Sequence, residues 1–287
     1  MKIIPAAATP SASRFRPDAY LGLIRNGSGL LGDNDNFKNF EYVTSDVAAG
    51  AGSFLCRGAG IHVTDELVPA DPSRIFRIRM NVKHRAGPAG AIFTGLVAYD
   101  IDGKDIRADM WMHEPSTMTT LTQTLNTGDT VAHVASTANW HNGAAEHLRG
   151  FMPFNYRNGK GFVYPPGTYS RNTHMPLGGL YAEGALTATT VPLREPWARA
   201  GVPAGTPVAN GASGATFTYI GAVAVAPNGN WQTFEGLSTG LCTTGMPQQG
   251  GLLPPGTAFV KPLILATYGA TEQTELLVNM VSLEVVS

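Results

Sequence analysis

Arg74-Ile75-Phe76-Arg77-Ile78-Arg79-Met80-Asn81-Val82-Lys83 alternates apolar and polar side chains without a break. Phe76, Ile78, Met80 and Val82 fall on one side; Arg77, Arg79, Asn81 and Lys83 fall on the other. A period of two is the mark of a strand with one buried and one wet face. Downstream, residues 91–101 are apolar at both parities, which predicts a strand covered on both sides. Asp102-Gly103 then supplies a turn into 104–112, predicting a hairpin. Near the other end, 259–268 and 276–286 read as a second strand pair around 269–274. The two ends therefore predict one all-β sandwich made from separated halves, 26–115 and 215–287.

Composition agrees with that reading. The chain has 287 residues with 34 Gly and 20 Pro, and both residue types are poor in helix interiors. No segment shows a helical period. Charged residues make up 14%, against roughly 25% in an average soluble protein, which suits a surface that packs on other subunits. The net charge is -1 and no basic stripe occurs, so nucleic acid is not an expected partner. Cys56 and Cys242 lie in opposite halves and are expected as free, buried thiols. Met1-Lys2-Ile3-Ile4-Pro5 lacks the apolar core of a signal peptide, and no run approaches the roughly 20 apolar residues that cross a bilayer. Synthesis in a cytoplasm without membrane insertion is the expectation. Residues 1–25 read as an extended arm, because Pro5, Pro10 and Pro17 interrupt Ala, Ser and Thr.

The middle, 116–214, has a different texture and reads as an inserted, small β-rich domain. Residues 119–125 and 130–136 are strand-like around Asn126-Thr127-Gly128-Asp129; 147–156 and 185–191 are further strand candidates. A turn chemistry recurs at Pro165-Pro166-Gly167-Thr168, Pro203-Ala204-Gly205-Thr206 and Pro254-Pro255-Gly256-Thr257. Pro at the second position and Gly at the third predict type II turns that feed strands.

Few residues form a chemical constellation. Gly27-Ser28-Gly29-Leu30-Leu31-Gly32 fits the dinucleotide-binding glycine pattern. The Asp33-Asn34-Asp35-Asn36 that follows starts no helix and repels phosphate, so the run reads as a turn. Gly236-Leu237-Ser238-Thr239-Gly240 fits the serine nucleophile elbow. That elbow needs an acid and then a His downstream, and no His follows His174. His141 and His147, with Glu146 between them, are the closest His group, read as a polar loop near Trp140 rather than a metal or acid/base site. Glu114, Asp129, Glu146, Glu183 and Glu195 are scattered and give no paired-acid signature. The ion-site candidate is Asp100, Asp102 and Asp105, with Asp33 and Asp35 as further oxygen ligands for calcium; the competing reading is an ordinary acidic turn. Calcium is the one cofactor considered. Trp140 and Trp197 are the candidates for stacking on sugar rings, with Trp111 and Trp231 behind them and core packing as the commoner fate.

The flanks resemble jelly-roll modules related to carbohydrate-binding modules. The likeness lies in Asn36-Phe37, 76–83, 97–106, 231–236 and 256–286. The chain also resembles structural proteins of tailed bacteriophages. The segments that carry this are Leu125-Asn126-Thr127-Gly128-Asp129-Thr130, Ala138-Asn139-Trp140, Gly167-Thr168-Tyr169-Ser170-Arg171-Asn172 and Ala204-Gly205-Thr206-Pro207-Val208. The resemblance implies a non-enzymatic virion protein, shown on a tail tip or fibre or as a capsid decoration and anchored by its arm. It implies other virion proteins as partners, a homo-oligomer with a trimer favoured, and contact with host surface polysaccharide. The alternatives are a glycan-binding adhesin or a polysaccharide depolymerase.

Overall fold

The computed structural model describes residues 20–106, 113–142, 150–153, 186–198, 201–211, 218–242, 251–254, 256–266 and 273–286. Most of the expected arm lies outside them, as do Trp111, Glu146, His147 and the first Pro-Gly-Thr turn. Among the described residues the regular structure is all β, apart from one 3-10 turn at Pro115–Thr117.

β1 (Tyr20–Leu21) and β2 (Ile24–Arg25) form a small ladder. β3 (Glu41–Val43), β4 (Ser53–Arg57), β5 (Gly60–Val63), β6 (Val68–Pro69), β7 (Phe76–Ala86) and β8 (Gly90–Tyr99) follow. The middle contributes β9 (Thr119–Thr120), β10 (Val131–His133), β11 (Gly150–Pro153), β12 (Thr190–Pro192) and β13 (Pro207–Gly211). β14 (Thr218–Val225), β15 (Gln232–Leu237), β16 (Gly240–Leu241), β17 (Leu252–Leu253), β18 (Phe259–Ala266) and β19 (Glu275–Val285) complete the chain.

Two antiparallel sheets carry the architecture: β15-β7-β19-β4-β3 and β14-β8-β18-β5, with β6 also on β18. The pairing is nested. β4 pairs with β19, β5 with β18, β7 with β15, and β8 with β14. One long antiparallel ribbon has thus been rolled up, closing through β7 on β19 and β8 on β18. That wrapping is a jelly roll. It explains why the two ends of the sequence make one sandwich: strands far apart in the chain are partners in the ribbon. The innermost connection, from β8 to β14, holds β9–β13, so the insertion sits at the ribbon's tip.

The core lies between the sheets. Phe76, Ile78, Met80 and Val82 are all at or below 1% exposure, as their alternation predicts. They meet Phe54, Leu276, Val278 and Leu283 from their own sheet and Ile92, Leu96, Val260 and Ile264 from the other. A second hydrophobic cluster shares no residue with this one. It gathers Leu121, Leu125, Val134, Trp140, Phe151, Val191, Trp197 and Val208, all within the middle of the chain.

Two local expectations change. Residues 259–268 and 276–286 do not pair: β18 lies between β8 and β5, and β19 lies between β7 and β4 in the opposite sheet. Both runs are apolar at both parities, so each needs a neighbour on either side and a covered face, which a terminal hairpin cannot give. At Pro203-Ala204-Gly205-Thr206, Thr206 N donates to the Pro203 carbonyl, so Pro opens the turn and Ala204 holds its second position. Gly205 keeps the third, at φ +83. The Pro254 turn follows the expected pattern, with Gly256 at φ +81 and Thr257 N donating to Pro254 O. The 102–103 turn is also as expected: Asp100 N donates to Lys104 O, and Ile106 N to Ala98 O.

Candidate functional site

The tryptophans proposed for sugar stacking are structural. Trp140 is 6% exposed and Trp197 is 1%. Both rings stand 6.1 Å from the Phe151 ring, Trp197 edge-on. Trp140 Nε1 donates to Thr117 O at 2.8 Å. A ring sealed on both faces offers no platform to a sugar, so the glycan assignment of Trp140 and Trp197 is corrected to anchors of the insertion's core. Trp231 is half-buried, with Lys83 Nζ 5.9 Å from its ring centre.

The acidic residues are used locally. Asp100 is buried, and its Oδ1 accepts from Asp102 N and Lys104 N, both at 3.0 Å, closing the hairpin turn; Asp102 and Asp105 are exposed. Asp33 Oδ1 accepts from Asp35 N. Asp35 pairs with Arg25, whose Nε also reaches Glu66 at 3.1 Å. Burial opposes the Arg25 charge, but Asp35 and Glu66 outweigh it and hold its pKa above the usual guanidinium value. Asn26 and Asn36 complete this loop: Asn26 Nδ2 donates to the Asp33 and Asp35 carbonyls, and Asn36 Nδ2 to the Arg25 carbonyl. A guanidinium already supplies the positive charge there. Among the described residues, no three His, Cys, Asp or Glu side chains come together as a metal site, so Asp100, Asp102, Asp105, Asp33 and Asp35 do not form one ligand set.

Both motif matches resolve into packing. A Cβ on Gly27 would collide with the Val281 carbonyl, whose residue donates its N–H to Gly27 O at 2.8 Å. Gly27 therefore serves close passage over β19, while Gly29 abuts the Gly52 backbone. In the serine match, Ser238 is 1% exposed and its Oγ accepts from Phe76 N at 2.7 Å. Its hydroxyl fastens the start of β7.

Cys56 and Cys242 are free and buried, as expected. Cys56 on β4 meets His62 on β5 across the sandwich, with Sγ and Nε2 2.9 Å apart. Burial pushes the Cys56 thiol up to about 11 and holds the His62 imidazole below its ordinary value. Both groups stay neutral near pH 7, which makes the pair a packing contact rather than a nucleophile.

The base of the insertion is knitted by polar bonds. His141 Nε2 lies 2.7 Å from Glu114 Oε1. His141 N donates to the buried Asn210 Oδ1, and Asn210 N donates to Thr117 Oγ1. Glu114 N donates to Asn210 O. His147 and Glu146, the other members of the expected His group, lie outside the described residues.

The outer faces of the two sheets are the remaining surfaces, and they differ in kind. The β7 sheet presents Arg77, Arg79, Lys83 and Arg85, and ion pairs hold Arg77, Lys83 and Arg85. Arg77 meets Glu284 at 2.5 Å, Lys83 meets Asp46 at 2.8 Å, and Arg85 meets Glu275 at 3.6 Å. Part of that face lies under the 46–52 loop, where Asn279 Oδ1 accepts from Ala49 N and Asn279 Nδ2 donates to Gly52 O. The β8 sheet turns outward Ile61 and Val63 from β5, Leu263 and Leu265 from β18, Phe93, Val97 and Tyr99 from β8, and Tyr219, Ala222 and Ala224 from β14. Lys261 is the one charged side chain among its described outward positions, 5.4 Å from the Tyr99 ring centre. Burial is the main cause that holds its ammonium below the usual lysine pKa. Ile61 is 59% exposed. Alternating apolar positions in β8 point to this face; β14 escaped notice because Gly and Ala dilute its pattern.

No known family model matches the chain, and no curated protein matches it.

Proposed function

We propose that this chain is a non-enzymatic structural protein on the surface of a bacteriophage particle, acting as an assembly module. The observation that carries this is the outer face of the β8 sheet, apolar apart from Lys261 among its described positions, where Ile61, Tyr219, Ala222 and Ala224 stay exposed while Val97 and Leu263 are already buried. A soluble sandwich that braces one face with ion pairs and leaves the other apolar is built to be covered by protein. The phage-like segments supply the class of assembly, and the insertion at the ribbon tip is the natural place for an outward role, because it has its own core and projects from the one connection the roll leaves open. The 1–25 arm is read as the anchor; of its described end, Gly22 bridges Leu283 of β19.

The test is mass spectrometry and antibody-gold imaging of particles purified from lysed host cells. The expected result is a stoichiometric subunit with gold on tail or capsid. A chain that is abundant in the lysate and missing from the washed particles overturns the proposal.

A further inference from the structure

The apolar surface does not end at a face; it continues onto an open edge. Among the described residues β14 is the last strand of its sheet and pairs on one side only, with β8. Its other side is engaged at its start, where Gly251 N donates to Tyr219 O and Thr218 Oγ1 donates to Leu252 O. A bulge follows between Tyr219 and Gly221. From Gly221 to Val225 the outer edge makes no backbone bond with any described residue, and Ala222 and Ala224 are exposed.

The sequence there is Gly-Ala-Val-Ala-Val, with no charge and no Pro. Open edges are normally guarded by one or the other. The edges of the opposite sheet are guarded: β15 carries Glu235, and the three-residue β3 carries Glu41 bound to Arg57. β5 spans four residues and is followed by Asp65.

We infer that β14 is a self-pairing edge, and that its occupant is β14 of a second copy, antiparallel across a two-fold axis. The choice of occupant follows from charge and symmetry. Under a two-fold axis a strand faces its own sequence reversed, so any charge near the axis meets its like. Centred on Val223, Ala222 faces Ala224 of the other copy, and no like charges oppose. Such a ladder fuses the two β8 sheets and makes their apolar outer faces continuous. The inference stands on strand chemistry and holds whether or not the chain belongs to a phage particle.

Sedimentation of the full chain across the micromolar range tests it, with two double variants. Ala222→Lys with Ala224→Lys places like charges opposite one another, as does Ala222→Glu with Ala224→Glu. Each is expected to weaken the dimer by roughly tenfold or more, and an equimolar mixture of the two is expected to restore it. Amide exchange in the wild-type chain gives an independent reading: those N–H groups of Gly221–Val225 that point away from β8 should be protected in concentrated solution and lose protection on dilution. A wild-type chain that sediments as a monomer or a trimer overturns the inference. So do folded variants that leave assembly unchanged, or a mixture that restores nothing.

Discussion

The two outer faces of this sandwich belong to sheets of similar size, yet they are finished in opposite ways. The β7 sheet is braced. Cross-strand pairs such as Arg77–Glu284 and Arg85–Glu275 occupy its surface, and the 46–52 loop is tied to it through the fully buried Asn279. The β8 sheet carries aliphatic and aromatic side chains, with Lys261 as the one outward charge among its described positions. Exposed ion pairs add little stability, so the difference is not chiefly one of strength. It separates a face braced within the chain from one that the proposed function leaves for a partner.

The largest test of the braced side is Gly27→Ala. The new Cβ would occupy the space of the Val281 carbonyl, which is backbone and cannot swing away. A loss of about 3 kcal/mol is expected in urea unfolding. A loss under about 0.5 kcal/mol would mean that the 22–29 segment is not clamped on β19.

The seam between the sheets gives the next effect. Cys56 belongs to the braced sheet and His62 to the apolar one. The folded thiol titrates at about 11 and the unfolded one near 9.0. Below pH 9 both states hold the proton and the full contribution is present. Between pH 9 and 11 the unfolded state releases its proton first, so stability falls as pH rises through that window, by about 2–3 kcal/mol. The Cys56→Ala variant should show a flatter profile there. Equal slopes for both proteins would show that the two sheets do not bury this thiol.

Sequence reading reached the braced side better than the bare one, for physical reasons. In β7 every second residue is charged or polar, so the period is unmistakable from Phe76 to Lys83. In β14, Ala222 and Ala224 replace the polar half of the alternation, so no period of two stands out there. The β18–β19 pairing failed because neighbours in sequence usually pair, whereas a rolled ribbon gives each strand a distant partner. Trp140 and Trp197 stand near loops in the sequence. Their burial depends on Phe151, which no local pattern links to either. Asp33 and Asp35 looked like ion ligands because their bonds to Arg25 and to backbone N–H groups are set by a loop closure invisible in one dimension.

Met280 carries the third test. It sits at the β19 bulge between Asn279 and Ser282 with φ +54, a left-handed conformation that costs a side-chain-bearing residue about 1–2 kcal/mol. Met280→Gly relieves that cost, and a gain of about 1 kcal/mol is expected after glycine's extra unfolded-state freedom is subtracted. A loss instead would mean that the Met280 side chain, half-buried, is a support of the braced face.

The smallest expected effect bears most directly on the bare face. Ile61→Lys changes a residue that is 59% exposed at the edge of the apolar surface. In an isolated subunit a lysine there keeps its ammonium in water, so stability should move by less than about 0.5 kcal/mol. Thermal unfolding at low protein concentration reads this. The same substitution at the same depth of exposure would be silent on the β7 sheet at all concentrations. If the β8 sheet is completed by protein, the variant should match wild type when dilute and fall behind it as concentration rises, because only the covered state has to desolvate the new charge. A concentration-independent difference would place Ile61 in the subunit's own fold and erase the distinction between the faces at that corner.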